Sequence, residues 1–178
     1  GHERDLHIMF PMVSSIDEID FTKEHVVSAM DTLTRDGYEY NESPKLGAMI
    51  ELPSAVEIVE ELAEALDFLS IGTNDLVMYL LAVDRTNGRL SELYRSYHPT
   101  VLRTISSIAN RVRELDIELG VCGDSAADPV MLPFYLSLQI PSLSVAPDNL
   151  MHTRKYVASL DPALISEAHD AMLSIRRL

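Results

Sequence analysis

The sequence predicts an α/β fold, read as a partial (β/α)8 TIM-type barrel: the last five βα units, truncated from a longer chain. Three observations lead there. Five short apolar runs, starting near residues 6, 46, 68, 119 and 142, are each followed by a helical pattern. The runs read as apolar on both faces, which is how strands of a parallel sheet covered by helices look. Polar residues (Glu51, Asn74, Asp75, Cys122, Asp124) fall at the C-terminal ends of successive strands, the rim on which a barrel gathers its active site. An open doubly wound sheet shares the alternation, but no G-x-G-x-x-G follows the first strand to support its dinucleotide-binding form. An eight-stranded barrel needs about 200 to 250 residues. The 178 present are therefore expected to form one domain, 1–178, the C-terminal part of such a barrel.

Leu6-His7-Ile8-Met9-Phe10-Pro11-Met12 reads as a strand stopped by its proline, and as an exposed edge of an unclosed sheet. Ser15 and Glu18 stand in the capping-box relation, and Ile16, Ile19, Val26, Val27, Met30 and Leu33 follow at helical spacing towards Gly37. After a polar loop, residues 46–51 form a second strand, polar only at Glu51. Ser54 and Glu57 suggest another capping box, and Val56, Val59, Leu62, Ala63 and Leu66 a one-sided stripe. The third strand, 68–73, enters a turn in which Asn74 or Asp75 is placed to cap the next helix. The connection 84–98, rich in charge and Tyr, is too long for an ordinary loop. His98-Pro99 opens a helix with Pro at its first position, and Val101, Leu102, Ile105, Ile108, Ala109, Val112 and Leu115 give its buried face. A fourth strand and turn (119–124), a short helix (129–138), a fifth strand (142–146) and two closing helices (148–160, 162–176) complete the chain.

With 28 acidic against 14 basic residues the net charge is −14. That argues against nucleic acid or an anionic membrane as a partner, and an anionic substrate would need cations supplied locally. No run approaches the 18 or so apolar residues of a membrane span, and the N-terminus lacks a basic-then-apolar signal. The single Cys122 excludes an internal disulfide and fits a reducing cytoplasm.

Glu51 and Asp75 end neighbouring strands, whose spacing is about 4.8 Å. Two hard oxygen ligands with room for water suit Mg²⁺; the plainer reading has Glu51 meeting a lysine and Asp75 capping a helix. Arg85 offers a planar guanidinium suited to phosphate or carboxylate, or a surface pair of little consequence. Asn74 could donate its amide to a phosphoryl oxygen or merely cap. Cys122, beside Gly123, carries a thiol whose ordinary pKa near 8.5 keeps it protonated and able to give up a proton; a lone cysteine is otherwise inert core. His98 reads as a cap, while His7, His25, His152 and His169 lack metal spacing.

Several of these stretches resemble a known family. Ile8-Met9-Phe10-Pro11-Met12, Met49-Ile50-Glu51-Leu52-Pro53-Ser54-Ala55, Phe68-Leu69-Ser70-Ile71-Gly72-Thr73-Asn74-Asp75-Leu76, Leu81-Ala82-Val83-Asp84-Arg85, His98-Pro99-Thr100-Val101-Leu102-Arg103 and Val121-Cys122-Gly123 are similar to enzyme I of the bacterial phosphotransferase system, the phosphoenolpyruvate–protein phosphotransferase. The resemblance runs in order over about residues 6–146, and residues 82–87 look closest to the nitrogen-type paralogue. It implies a (β/α)8 domain that binds phosphoenolpyruvate and Mg²⁺ and forms a homodimer, with sugar transport or nitrogen regulation as its setting. By motif, Glu51 and Asp75 would be the Mg²⁺ ligands, Asn74 and Arg85 would hold the phosphate, and Cys122 would protonate the enolate at C3.

Three departures qualify the match. The family has Glu where Asp124 stands, and Thr-Gln where Val77-Met78 stand, which removes two polar groups expected near the site. Two further phosphate-binding arginines lie on earlier strands in the family, and the phosphoacceptor histidine, through which the phosphocarrier protein is served, lies in a preceding domain. The chain is therefore expected to carry part of the site and to be inactive alone. The alternatives are a piece of a pyruvate phosphate dikinase or phosphoenolpyruvate synthase, which share a related Cys-Gly motif, or a non-catalytic dimerisation module. The Asn74-Asp75-Leu76 to Asp84-Arg85 register favours enzyme I.

Overall fold

Strand residues here alternate between large apolar side chains and small or polar ones, and that alternation gives the sheet two unlike faces. A computed structural model of the protein describes residues 5–88, 90 and 93–176. Five strands, β1 (His7–Phe10), β2 (Lys45–Ile50), β3 (Phe68–Gly72), β4 (Glu118–Cys122) and β5 (Ser142–Ser144), form one sheet in the order β1-β2-β3-β4-β5. Every pairing is parallel. The order never reverses, so these strands are singly wound, and the switch point that defines a doubly wound sheet is absent from them. β1 and β5 are its edges, as the exposed-edge reading of residues 6–12 requires.

The first departure from expectation lies in the faces. Ala48, Ile50, Leu69, Ile71, Leu119 and Val121 turn one way and are at most 4% exposed. The register places Met49, Ser70, Gly120 and Ser142 side by side on the opposite face, and Gly72, Cys122 and Ser144 one step further along. The strands are thus apolar on one face, not both. The other face is mixed, with small residues and hydroxyls among Met9, Met49 and Phe68, and there His7, Met9, Phe68, Ser70, Glu118 and Ser142 border a cavity of about 180 Å³.

The helices cover the apolar face. Helix α1 (Ile16–Arg35) begins as its capping box predicts: the Glu18 carboxylate accepts the backbone N–H of Ser14 at 2.6 Å and of Ser15 at 3.3 Å. The second helical stretch is broken into α2 (Pro53–Glu57) and α3 (Val59–Ala65) at Ile58. The Ser54–Glu57 capping box does not form, because Pro53, with its preset φ and no N–H to satisfy, takes the first helical position and puts Ser54 inside the helix. Val59 and Leu62 are still fully buried, so the apolar stripe survives the break.

Then come α4 (Thr73–Leu81), α5 (Pro99–Arg113), α6 (Leu132–Ser137), α7 (Pro147–Ser159) and α8 (Pro162–Ser174). His98 caps α5 through Nδ1, which accepts the Thr100 N–H at 3.2 Å. Its stripe buries Val101, Leu102, Ile105, Ile108, Ala109 and Val112, but Leu115 lies past the helix end and is 38% exposed. Each fully buried large aliphatic contributes about 1.5–3 kcal/mol. The helix expected over 129–138 is shorter: α6 spans only Leu132–Ser137, and a separate 3-10 turn (Asp124–Ala127) precedes that stretch. In the connection 84–98, Arg89, Ser91 and Glu92 lie outside the described residues.

One cation holds the broken helix to the sheet's cover. Arg111, on α5, donates Nη1 to the Val56 carbonyl at 2.6 Å and Nη2 to that of Glu57 at 2.9 Å. Its guanidinium also forms a two-pronged pair with Glu60. Carbonyls freed where α2 stops thus find donors, which the sequence did not disclose. The hydrogen bond from Arg111 holds the Glu60 carboxyl below its ordinary range, so this stabilisation is present above about pH 4.3 and is lost as pH falls through the folded value. Arg111→Met should lower unfolding stability by about 1–3 kcal/mol at pH 7, and urea titrations should show the deficit shrinking below about pH 4.

Candidate active site at the strand ends

Gly72 and Cys122 form the last rung between β3 and β4, and Glu51 follows Ile50 at the end of β2, level with that rung. Three neighbouring strands therefore end in a carboxylate, a bare glycine and a thiol. At about 4.8 Å per strand, Glu51 and Cys122 face each other across roughly 10 Å, with Gly72 as the floor between them. A Cβ there would lie 2.8 Å from Glu51 Oε2 and 2.6 Å from Met49 Sδ, so any other residue would push the Glu51 carboxylate and the Met49 side chain from their places.

Glu51 is 2% exposed. Its Oε1 accepts the Met12 N–H at 2.7 Å, with Met12 held in a left-handed conformation (φ 57°) just past β1. Burial pushes the Glu51 carboxyl above its ordinary range; the Met12 N–H works against this, and the Asp75 carboxyl, within hydrogen-bonding reach, adds to it. Glu51 therefore meets Asp75 and not a lysine. Asp75 does not cap, because α4 starts at Thr73 after the N-cap Gly72 and puts Asn74 and Asp75 in its first turn. Both are half-buried.

Asn74 bridges β3 to β4. Its Oδ1 accepts the Asp124 N–H at 2.9 Å, which leaves Nδ2 as the end of the amide with donors to offer. This bridge needs Gly123, at φ +100°, since a Cβ there would lie 2.5 Å from Thr73 Oγ1 and 2.8 Å from Asn74 Oδ1. Cys122 is half-buried, and its Sγ lies 3.5 Å from the Ile71 carbonyl. Burial above all pushes its thiol upward; a Ser70 hydrogen bond opposes this, and the Glu51 and Asp75 charges reinforce it. At neutral pH it holds its proton.

Arg85 stands at the rim, with Nη1 4.0 Å from Asp124 Oδ2. Tyr94, whose role the sequence does not reveal because a Tyr in a long polar connection carries no periodic pattern, donates its hydroxyl to the Asn74 carbonyl at 3.1 Å. Its phenol is raised by burial and feels the charges of Arg85, Asp124 and Asp75. Val77, counted among the lost polar groups of the site, is fully buried on the core side of α4, so its change does not strip the rim.

Two carboxylates pressed together and partly desolvated want a cation between them, and the set fits Mg²⁺: two hard oxygens, with the remaining positions open to water and substrate. Among the described residues no three or more His, Cys, Asp or Glu stand close enough to hold a metal ion by themselves, so a closed, all-protein metal cage does not form from them. No helix among the described residues is long and apolar enough to cross a membrane.

The singly wound parallel α/β sheet thus gathers a carboxylate pair, an amide, an arginine and a protonated thiol on one rim, the strand-end position where parallel α/β folds place their sites. The chain matches the family described as PEP-utilising enzyme, PEP-binding domain, over residues 2–162, and belongs to that family. It is 34% identical over 171 residues to a phosphoenolpyruvate-protein phosphotransferase of Priestia megaterium, covering 96% of this chain and 30% of that protein. The enzyme of the same name from Staphylococcus epidermidis is 34% identical over 162 residues, covering 91% of this chain and 28% of its own length. The chain thus spans under a third of the length of these curated relatives. Among solved structures, a citrate lyase from Burkholderia xenovorans LB400 superposes with a TM-score of 0.57 over 97% of this chain and 57% of that one, at 15% identity, a likeness of fold alone.

Because the folded state raises the Glu51 pKa, ionising Glu51 costs stability as pH rises above about 4.3. Glu51→Gln keeps an acceptor for the Met12 N–H. Without divalent cations, the variant should gain stability over the parent from pH 4 to pH 7 in urea titrations; a growing deficit would refute the carboxylate pairing. Alkylation of Cys122 by iodoacetamide should reach half its limiting rate above about pH 8.5.

Proposed function

We propose that the chain is the phosphoenolpyruvate-binding part of a phosphoenolpyruvate–protein phosphotransferase, a segment of a (β/α)8 barrel completed by strands outside it. The observation that carries this reading is the row Glu51–Gly72–Cys122, with a carboxylate pair and a protonated thiol facing each other across a glycine floor wide enough for a three-carbon acid. The relatives' printed names supply the reaction.

In this reading Asn74 Nδ2 and Arg85 take the phosphate oxygens, helped by the N-terminus of α4, which favours negative charge. Glu51 and Asp75 would hold Mg²⁺, which when bound would neutralise charge on the phosphate and enolate oxygens. The phosphoryl group leaves the enol oxygen for a histidine on another domain, by which a phosphocarrier protein is served. The departing enolate takes the Cys122 proton at C3 to become pyruvate, and the thiolate regains a proton from solvent. Loose pairing of Arg85 with Asp124 keeps the guanidinium at the rim and free to exchange partners. The homodimer, the cytoplasmic setting and the sugar or nitrogen branch belong to the same proposal.

In the full-length protein, Cys122→Ser should form phosphoenzyme from phosphoenolpyruvate and Mg²⁺ at close to the parent's rate. Pyruvate formation should slow by about 10²–10⁴-fold, with deuterium entering C3 without facial preference. Glu51→Gln should weaken Mg²⁺-dependent binding of phosphoenolpyruvate by calorimetry. Parent-like pyruvate kinetics and stereochemistry in the Ser variant would remove Cys122 as the acid, and unchanged binding by the Gln variant would remove Glu51 as a ligand.

A further inference from the structure

Behind the rim, three hydroxyls run in a line from the core to the peptide of Cys122. Thr73 Oγ1 donates to the Cys122 carbonyl at 2.8 Å, and Ser125 Oγ donates to Thr73 Oγ1 at 2.8 Å. Ser125 Oγ also lies 2.7 Å from the Tyr135 hydroxyl. Since Ser125 has one proton and gives it to Thr73, Tyr135 is the donor in the last pair. Thr73, Ser125 and Tyr135 are 2%, 5% and 0% exposed. Every proton in the chain points towards Cys122, and burial keeps the Tyr135 phenol protonated.

An apolar trio of similar shape would fill this space at little energetic cost, so core packing alone does not call for the polar chain. Its end point is informative. The ladder with β3 and β5 fixes the Cys122 backbone on one side, and the orientation of its carbonyl sets ψ on the other. The Asn74–Asp124 hydrogen bond fastens the same turn one peptide later. We propose that Ser125 and Tyr135 are positioning residues for the Cys122 thiol: through Thr73 they fix the Cys122 carbonyl and so the direction in which Sγ faces the floor of the site. The consequence for catalysis rests on the reading of Cys122 as the enolate's acid.

The test uses Ser125→Ala, Tyr135→Phe and Ser125→Thr in the full-length protein. Expected in Ser125→Ala and Tyr135→Phe are phosphoenzyme formation within about twofold of the parent and pyruvate formation slowed roughly 10- to 100-fold, with Ser125→Thr near the parent in both. The facial preference of deuterium entry at C3 should erode in the first two variants and return in Ser125→Thr. Unchanged pyruvate rate and stereochemistry in both Ser125→Ala and Tyr135→Phe overturns the inference. So does a parallel fall of both half-reactions that tracks lost thermal stability. Should Cys122→Ser itself keep the parent's stereochemistry, the acid reading fails and alkylation of Cys122 decides instead. A changed iodoacetamide rate in Ser125→Ala, restored in Ser125→Thr, then supports the positioning role, and an unchanged rate overturns it.

Discussion

The rung at which Gly72 pairs with Cys122 sets the dimensions of everything at the rim. Parallel pairing fixes the lateral spacing of strand ends, and the pleat fixes which side chains share a face. Once Gly72 is opposite Cys122, Glu51 must stand on the other side of the same glycine, and the helix that begins at Thr73 must bring its first turn over the gap. A side chain at the centre of the row would displace the Glu51 carboxylate, and one at Gly123 would push Thr73 and Asn74 away from the β4 turn. Close backbone approach at two glycines is therefore the condition for the site's geometry.

Electrostatics explain why such a site sits in an acidic chain. With a net charge of −14, the chain has no excess of cations to attract an anion at long range, so the field at the rim rests on local groups. Burial above all raises both Glu51 and Cys122, and the neighbouring carboxylates add to each, so the same charges that would receive a cation also help keep the thiol protonated. Arg85 is the rim cation placed against Asp124. The shorter Asp124 still reaches that guanidinium at 4.0 Å while its backbone N–H serves Asn74, so the altered residue has a structural place.

Much of the fold was legible because short-range chemistry wrote it. The Ser15–Glu18 box and the His98-Pro99 start are local signals, and they stand where they were read. The α2–α3 break was not legible, since it depends on Arg111, which is more than fifty residues away in sequence. Reading Asn74 or Asp75 as a cap failed for a related reason: Gly72 serves as N-cap, and both side chains find partners in the segments that follow neighbouring strands. Tyr94 and the Ser125–Tyr135 chain carry no motif; they are visible only once the 3-10 turn and α6 fold back beneath α4.

The sequence by itself determined the alternation of strands and helices, their parallel arrangement, and the polar residues at the strand ends, because periodicity, caps and glycines act over a few residues. It did not determine the two-faced character of the sheet. Small residues at Ser70, Gly72, Gly120 and Ser142 look like any others until the register lines them up on one face. Nor did it decide that Glu51 would press against Asp75, or that Asn74 would turn its oxygen to Asp124 and its donors outward. Those outcomes come from strand register and helix entry, which bring together groups more than twenty residues apart in sequence, and the chain encodes them only through the packing of its whole core.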